Sequence, residues 1–212
     1  AGVATARGDN GVGVAGAAYR AKVMAIKMFD GNLVASDANI AAALYYAGGR
    51  TRSGEGTWRA ADLVNNSWGG GGTSAAINAA LTWGTTLGRE GQGATYFFAS
   101  GNGFASSISE PAVQAGSIPG VIAVGATNNK AERSNYSNYG SQLDIVAPSN
   151  DTRAGYLAIE TTDRLGASGY AAGDYTGTGA TGFGGTSSAT PLATGIGALV
   201  LSQAQSLAVP LS

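Results

Sequence analysis

The sequence of 212 residues contains neither cysteine nor histidine. The absence of cysteine excludes disulfide bonds, thiol catalysis and thiolate metal sites. The absence of histidine removes the side chain that most often acts as a general base near neutral pH. Charged residues make up only 12%, and the net charge of −1 argues against an electrostatic nucleic-acid interface. No apolar run reaches the ~18 residues of a membrane-spanning helix, and AGVATARGDNG at the start lacks the basic and apolar regions of a signal peptide.

Glycine, in contrast, is abundant, with 35 residues, and short apolar runs alternate with helical patterns. Near-continuous apolar runs are typical of strands that are covered on both faces. The predicted strands are Val23–Phe29, Asp62–Asn66, Ala94–Ala99, Val121–Val124 and Leu143–Ala147. This alternation predicts an α/β layered domain with a mostly parallel sheet, formed by residues 1–212 as one domain.

Three longer segments have helical patterns. Ser36–Ala47 is predicted to begin at Ser36 as its N-cap, and a second helix covers Ser74–Leu87. The last helix, from Ser187 to about Ala204, is apolar all round and is therefore expected to be buried. The polar Asn150–Gly182 segment is expected to be an irregular surface region.

Three small-residue turns follow predicted strands or precede the last helix: Asn66–Gly69, Ser100–Gly103 and Gly185–Ser187. Reactive groups in parallel α/β sheets lie at the carboxyl ends of the strands, which favours these turns as a site. Taken singly, each is better explained as an ordinary glycine turn in a chain this rich in glycine.

The order of NNSWG, FASGNG and GGTSSATP along the chain resembles that of the subtilisin-like serine proteases, and the resemblance covers almost the whole chain. GVGVAGAAYRAKVMAIKMFDG and GREGQGATYFFASGNG are most similar to the kexin-like, calcium-dependent branch. The resemblance implies a three-layer subtilisin-like fold with a mostly parallel central sheet, truncated at the N-terminus. It also implies an extracellular or cell-surface location, with a possible pro-segment and C-terminal domain. The alternative of an α/β hydrolase lacks Gly-x-Ser-x-Gly around Ser187.

The resemblance implies that Ser187 is the nucleophile, because it is the serine of Gly-Thr-Ser-x-x-x-Pro, and that Ser188 is structural. A helix N-terminus leaves the Ser187 N–H free to donate to a developing oxyanion. Asn102 matches the family's side-chain donor to that oxyanion. The alternative for Asn102 is a turn residue that tolerates left-handed geometry.

The implied substrate is a protein or peptide. Ser67, Trp68 and Gly69 match the strand that hydrogen-bonds an extended substrate, with Ser100 and Gly101 beside it. Kexin-like enzymes cut after basic residues by means of carboxylates in two loops. Here the first loop reads Gly70–Gly72 and the second offers only Glu110, so we expect a neutral pocket that prefers apolar side chains.

The family's catalytic histidine lies in a His-Gly-Thr-x-x-Ala-Gly motif, whose last two residues match Ala1 and Gly2. The histidine is thus expected about five residues upstream of Ala1, and the catalytic aspartate further upstream. Two interpretations remain: a fragment of a longer serine endopeptidase, which the match at Ala1 favours, or a non-catalytic peptide-binding pseudoprotease. On either one, this chain by itself is expected to have negligible triad-dependent activity.

ARGDNGVGV aligns with a calcium loop of the family. The implied ligands are the Asn10 side chain and the carbonyls of Arg7, Val12 and Val14, with carboxylate ligands expected upstream of the chain. The alternative is an ordinary Asp-Asn-Gly turn.

Overall fold

A computed structural model describes residues 1–29, 35–51, 58–179 and 182–209. Four strands form one parallel sheet in the order β1-β2-β3-β4. They are β1 (Leu63–Asn66), β2 (Thr95–Ala99), β3 (Val121–Thr127) and β4 (Ile145–Pro148). The parallel sheet that the apolar runs predicted is confirmed for these four segments.

The helices of the described ranges are α1 (Gly2–Thr5), α2 (Asp37–Ala47), α3 (Ala75–Thr86), α4 (Gly88–Gly91) and α5 (Thr186–Ser206), with short 3₁₀ turns at Ala112–Gly116 and Gly166–Ser168. Two begin at serine caps. Ser36 Oγ accepts from the Asn39 N–H at 3.3 Å, and Ser74 Oγ accepts from the Ile77 N–H at 3.4 Å. Each cap satisfies one N–H that has no partner within its helix. No helix in the described ranges has the length and hydropathy of a membrane span.

The sheet lies between two helical layers, and the side chains of β2 show why. Tyr96 and Phe98 point to one face, where they pack with Leu44 of α2 and Leu81 of α3. Phe97 points to the opposite face and joins the cluster beneath α5. Because successive side chains of a strand alternate between faces, an unbroken apolar run places a core on both sides. The three-layer α/β fold is therefore confirmed.

Two predictions were wrong. Val23–Phe29 forms no strand in the described chain, and Val23 and Met24 are 54% and 40% exposed. Its apolar pattern indicates the capacity for burial, but a strand also needs a partner for its backbone groups, and no described strand lies beside it.

The expectation that α5 is buried all round was also wrong. Its first half is buried against the sheet, with Ala189 and Ala193 in the core, whereas Ile196, Leu199 and Val200 are 51%, 46% and 54% exposed. The helix is 21 residues long, roughly 30 Å, and the described residues that cover it, those of the sheet and of α1, leave these three side chains exposed.

The described part of Asn150–Gly182 is irregular, as predicted, with isolated bridges at Ile159–Phe183 and Thr162–Tyr175 and one short 3₁₀ turn.

Candidate active site

The three predicted turns meet at one edge of the sheet. Ser67, at the exit of β1, donates through Oγ to the Ser187 carbonyl oxygen at 2.9 Å. Ser187 Oγ donates in return to the Ser67 carbonyl oxygen at 3.1 Å. Asn102, beyond the exit of β2, is bonded through Oδ1 to Thr186. Residues that are more than 80 positions apart in the sequence are thus in contact, at the edge where α/β sheets carry their reactive groups.

Ser187 lies in the first turn of α5 and is half-buried. N–H groups in this turn lack partners within the helix. The Thr186 N–H donates to Asn102 Oδ1, and the Ser188 N–H donates to the Gly185 carbonyl oxygen at 3.1 Å. The Ser187 N–H has no acceptor among the described residues, so it is available to a bound group.

The orientation of the Asn102 amide is fixed by chemistry. The Thr186 N–H can only donate, and it meets the Asn102 side chain at 2.8 Å, so the atom that faces it is the oxygen Oδ1. Nδ2 must point the other way, toward Gly185, where an added Cβ would lie 3.1 Å from it. No described residue accepts a hydrogen bond from Nδ2. Asn102 Nδ2 and the Ser187 N–H are therefore two donors without acceptors, the arrangement that stabilises a developing oxyanion.

The turn before Ser187 is held by groups that the sequence did not single out. The Gly185 N–H donates to Tyr136 Oη at 3.1 Å and to Asn150 Oδ1 at 3.0 Å. Ser149 Oγ donates to the Gly185 carbonyl oxygen at 2.8 Å. Burial raises the pKa of Tyr136, so its phenol stays protonated in this network. Tyr136 lies between β3 and β4 and Ser149 directly follows β4, and no local motif marked either residue.

Ser188, next to the predicted nucleophile, is fully buried. Its Oγ lies 2.6 Å from Ser149 Oγ and 3.2 Å from the Gly185 carbonyl oxygen. The Ser188 hydroxyl thus contacts the turn before Ser187 from the protein interior, in agreement with the structural role predicted for it.

Trp68 and Gly69, assigned to substrate binding, lie directly after Ser67. The Trp68 ring packs edge-on against Phe98, with centroids 5.5 Å apart, and its Nε1 donates to Asn66 Oδ1 at 3.1 Å. The Trp68 side chain is therefore partly buried and packs against the core. A Cβ on Gly69 would lie 3.0 Å from the Glu110 carbonyl oxygen, so glycine lets these two segments approach closely.

Ser100 and Gly101, the other predicted substrate-binding residues, form the start of the loop that carries Asn102. Ser100 is fully buried, and its carbonyl oxygen accepts from the Ser109 N–H at 2.9 Å. The Gly101 N–H donates to Thr186 Oγ1 at 3.3 Å, and Gly101 has a φ of +107°, which favours glycine.

A cavity of about 640 Å³ adjoins Ser187, and Ala1 and Gly2 are also among the residues that line it. Asp163 is the carboxylate in its lining. Hydrogen bonds from backbone N–H groups, those of Ala171, Tyr170 and Arg164, lower the pKa of Asp163. A carboxylate stabilised in this way is a weaker base, and Asp163 accepts no hydrogen bond from Ser187, whose hydroxyl donates to the Ser67 carbonyl oxygen.

The predicted calcium loop forms a tight turn. Asn10 Oδ1 accepts from the Val12 N–H at 3.0 Å, and both residues are exposed. The implied ligands, the Asn10 side chain and the carbonyls of Arg7, Val12 and Val14, are all neutral. No cluster of three or more Asp, Glu, His or Cys side chains occurs in the described ranges. Because none of these four implied ligands is a carboxylate, they do not by themselves fit a calcium site.

The geometry agrees with comparisons to known proteins. The family model described as the subtilase family matches residues 1–210. The chain belongs to the subtilase family. This membership agrees with the parallel α/β fold described above.

Two curated relatives are similar in sequence. An extracellular protease of Xanthomonas campestris pv. campestris is 34% identical over 99% of this chain and 33% of the relative. A calcium-dependent protease of Trichormus variabilis is 38% identical over 58% of the chain and 19% of the relative. Among solved structures, proteases from Pseudoalteromonas arctica superpose with a TM-score of 0.74 at 29% identity, over 95% of this chain and 56% of that one. The chain thus spans about a third of the length of the first curated relative.

Proposed function

We propose that the protein is a serine endopeptidase and that this chain supplies its nucleophile and its oxyanion donors. The observation that carries the proposal is the convergence of Ser187 Oγ, the Ser187 N–H and Asn102 Nδ2 at the N-terminus of α5, fixed by the hydrogen bonds between Asn102 and Thr186.

In the proposed reaction, Ser187 Oγ attacks the carbonyl carbon of a peptide bond while its proton passes to a base. The carbonyl oxygen becomes an oxyanion that accepts from Asn102 Nδ2 and the Ser187 N–H. The protonated base gives its proton to the leaving amine as the C–N bond breaks, which leaves an acyl group on Ser187. Water, deprotonated by the same base, hydrolyses this ester and restores the hydroxyl.

The base is a histidine supplied from outside this chain, since the chain has none. The cavity between Ser187 and Ala1 supports this proposal, because it provides space for a side chain beside the nucleophile. Residues 1–212 are accordingly proposed as part of a catalytic domain, and the isolated chain as negligibly active.

The test compares the purified 212-residue chain with a polypeptide extended by its upstream coding segment. We expect peptide hydrolysis only from the extended form, with a loss of about 10⁶-fold in Ser187→Ala. Turnover by the 212-residue chain that disappears in Ser187→Ala would contradict the assignment of the base.

The second candidate is a peptide-binding pseudoprotease. It is favoured by the hydrogen bond of Ser187 Oγ, whose acceptor is a backbone carbonyl and not a base. An extended protein that binds peptides but hydrolyses none would support it.

We further propose that the substrate is an extended protein or peptide that pairs with the backbone of Ser67–Gly69 beside Ser100 and Gly101. Secretion is proposed from the relatives named extracellular proteases. Assignment to the kexin-like branch, a pro-segment and a C-terminal domain remain part of the proposal. Export of the full-length product into the culture medium tests secretion, and the mass of the exported product tests for a pro-segment and a C-terminal domain.

Calcium is proposed as a structural ion of the whole protein, supported by relatives named calcium-dependent proteases. Arg7, Asn10, Val12 and Val14 would contribute neutral oxygens, and carboxylates would come from outside the chain. Calcium should then raise the melting temperature of the extended protein, less so in Asn10→Ala, and leave that of the 212-residue chain unchanged. Equal stabilisation of both forms would contradict the division of ligands.

A further inference from the structure

We propose that Asn138 is a positioning residue, which holds the loop of Asn102 so that Nδ2 reaches the oxyanion. This inference rests on the proposed function, because it assigns Asn138 a role only through Asn102. Asn138 lies between β3 and β4, 36 positions after Asn102 in sequence, and no motif of the sequence connects the two.

Asn138 binds the backbone on both sides of Asn102. Its own N–H donates to the Gly101 carbonyl oxygen at 3.0 Å. Its side-chain Oδ1 accepts from the Gly103 N–H at 2.9 Å and from the Ala105 N–H at 3.0 Å. The residue before Asn102 and the residue after it are therefore both tied to Asn138, one to its backbone and the other to its side chain.

The Asn138 side chain also fills the interior of the loop. It is only 5% exposed, and its Nδ2 donates to Ser109 Oγ at 3.3 Å, where the loop returns. The Ser109 N–H in turn closes the loop on the Ser100 carbonyl oxygen. A Cβ on Gly101 would collide with both Ser109 Oγ and Asn138 Nδ2, so the loop backbone packs directly on this amide.

Two independent anchors therefore determine where Asn102 Nδ2 lies. Thr186 fixes the rotation of the amide through Oδ1, and Asn138 fixes the backbone from which the amide projects. An oxyanion donor is effective only when it is already aimed at the position where charge develops, so loss of either anchor should weaken it. Substitution of Asn138 cannot lower kcat by more than the complete loss of Asn102 does, which is typically 10²–10³-fold.

The test is a double-mutant cycle in the extended, Ser187-dependent protein. Asn138→Ala should lower kcat by about 10- to 100-fold with little change in KM, because the ground-state contacts remain while transition-state stabilisation is lost. In an Asn102→Ala background, the same substitution should lower kcat no further, since the donor that it positions is gone. A merely structural role would instead give additive losses in the double variant.

Asn135→Ala is a matched control. Asn135 lies three positions earlier, and its amide exchanges hydrogen bonds with Thr152, away from the loop of Asn102. We expect it to retain the wild-type kcat. Because Asn138→Ala could fold poorly, Asn138→Ser serves as a second, smaller polar variant, with a melting curve for each protein. Unchanged kcat in well-folded Asn138 variants, or additive losses with Asn102→Ala, would overturn the inference. If the parent protein itself showed no Ser187-dependent turnover, the proposed function would be overturned as well. Measuring the parent protein beside the Asn138 variants therefore distinguishes failure of the proposed function from failure of this inference alone.

Discussion

Thr186 gives both its backbone N–H and its hydroxyl to the Oδ1 atom of Asn102, at 2.8 and 2.9 Å. One atom of Asn102 is thereby used for anchoring, while the other polar atom, Nδ2, remains available for a substrate oxygen. Because the two polar atoms of this amide have different partners, a substitution can remove the donor Nδ2 and keep the anchoring oxygen.

Asn102→Asp should retain the anchor, because a carboxylate oxygen accepts from Thr186 as well as an amide oxygen does, but it removes the donor. We expect kcat to fall by at least the 10²–10³-fold typical of a lost oxyanion donor, with a melting temperature close to that of the wild type. Asn102→Ala should lose both the donor and the anchor, and so combine a similar loss of kcat with lower stability. The measurements are kcat of the extended protein and thermal denaturation. Comparable kcat in Asn102→Asp and wild type would rule out Nδ2 as the donor.

The sequence allowed the four strands of the sheet to be predicted because their apolar runs are short and bounded by turns. It also allowed Ser187 and Asn102 to be singled out, through the resemblance of their turns to one family. Val23–Phe29 was wrongly predicted as a strand because strand formation depends on a partner strand, which no local pattern encodes. The exposed half of α5 was missed for a similar reason, since an all-round apolar helix shows no preferred side.

The supports of the site were also beyond sequence reasoning. Asn138, Tyr136 and Ser149 act through hydrogen bonds to backbone atoms of distant loops. Such contacts depend on how the loops approach one another in space, and they leave no spacing pattern along the chain. These contacts are found only in the three-dimensional structure, where the loops lie at the same edge of the sheet.

Gly101→Ala should destabilise the protein and lower activity. Gly101 has a φ of +107°, and an added Cβ would collide with Ser109 Oγ and Asn138 Nδ2. Left-handed strain and overpacking together cost about 1–3 kcal/mol in the free energy of unfolding. Gly173→Ala is the matched control, because a Cβ added there would have no atom within 4 Å and the φ of Gly173 is not positive. Urea denaturation should show a lower midpoint for Gly101→Ala and the wild-type midpoint for Gly173→Ala. Equal midpoints of the two variants would contradict the steric argument.

We expect the extended protein to prefer apolar residues before the cleaved bond, because the Gly70–Gly72 loop offers no carboxylate. The nearby carboxylate of Glu110 accepts from Thr73 Oγ1 at 2.6 Å and from Gln114 Nε2 at 3.0 Å, so both of its oxygens are already hydrogen-bonded to neighbouring side chains. A peptide library cleaved by the extended protein should therefore give a profile that Glu110→Gln leaves nearly unchanged. Gly72→Asp, at a position with open space, should raise the share of Arg and Lys several-fold. A wild-type profile dominated by Arg or Lys would show that the prediction is wrong.

Asp151 should make the stability of the fold sensitive to acid. Its side chain is fully buried and accepts from Arg153 Nε at 2.8 Å and Nη2 at 2.9 Å, and also from Asn128 Nδ2 at 3.1 Å. These hydrogen bonds, first of all those from Arg153, hold the pKa of Asp151 well below its usual value. A carboxylate whose pKa is lower in the folded than in the unfolded state stabilises the fold above its ordinary pKa. That contribution is lost as the pH falls toward the folded-state pKa.

The melting temperature of the wild type should accordingly fall as the pH is lowered from about 5 toward 2. Asp151→Asn should melt several degrees lower at pH 7, because a neutral amide cannot replace the charge-assisted bonds to Arg153. The gap between the two proteins should narrow as the pH falls, since protonation removes in the wild type what the substitution has already removed in the variant. A gap of constant size between pH 7 and pH 2 would mean that the ionised Asp151 does not stabilise the fold. Because Asn150, its neighbour, binds the Gly185 N–H, the same acid titration followed by peptide hydrolysis would show whether the turn before Ser187 loosens together with this ion pair.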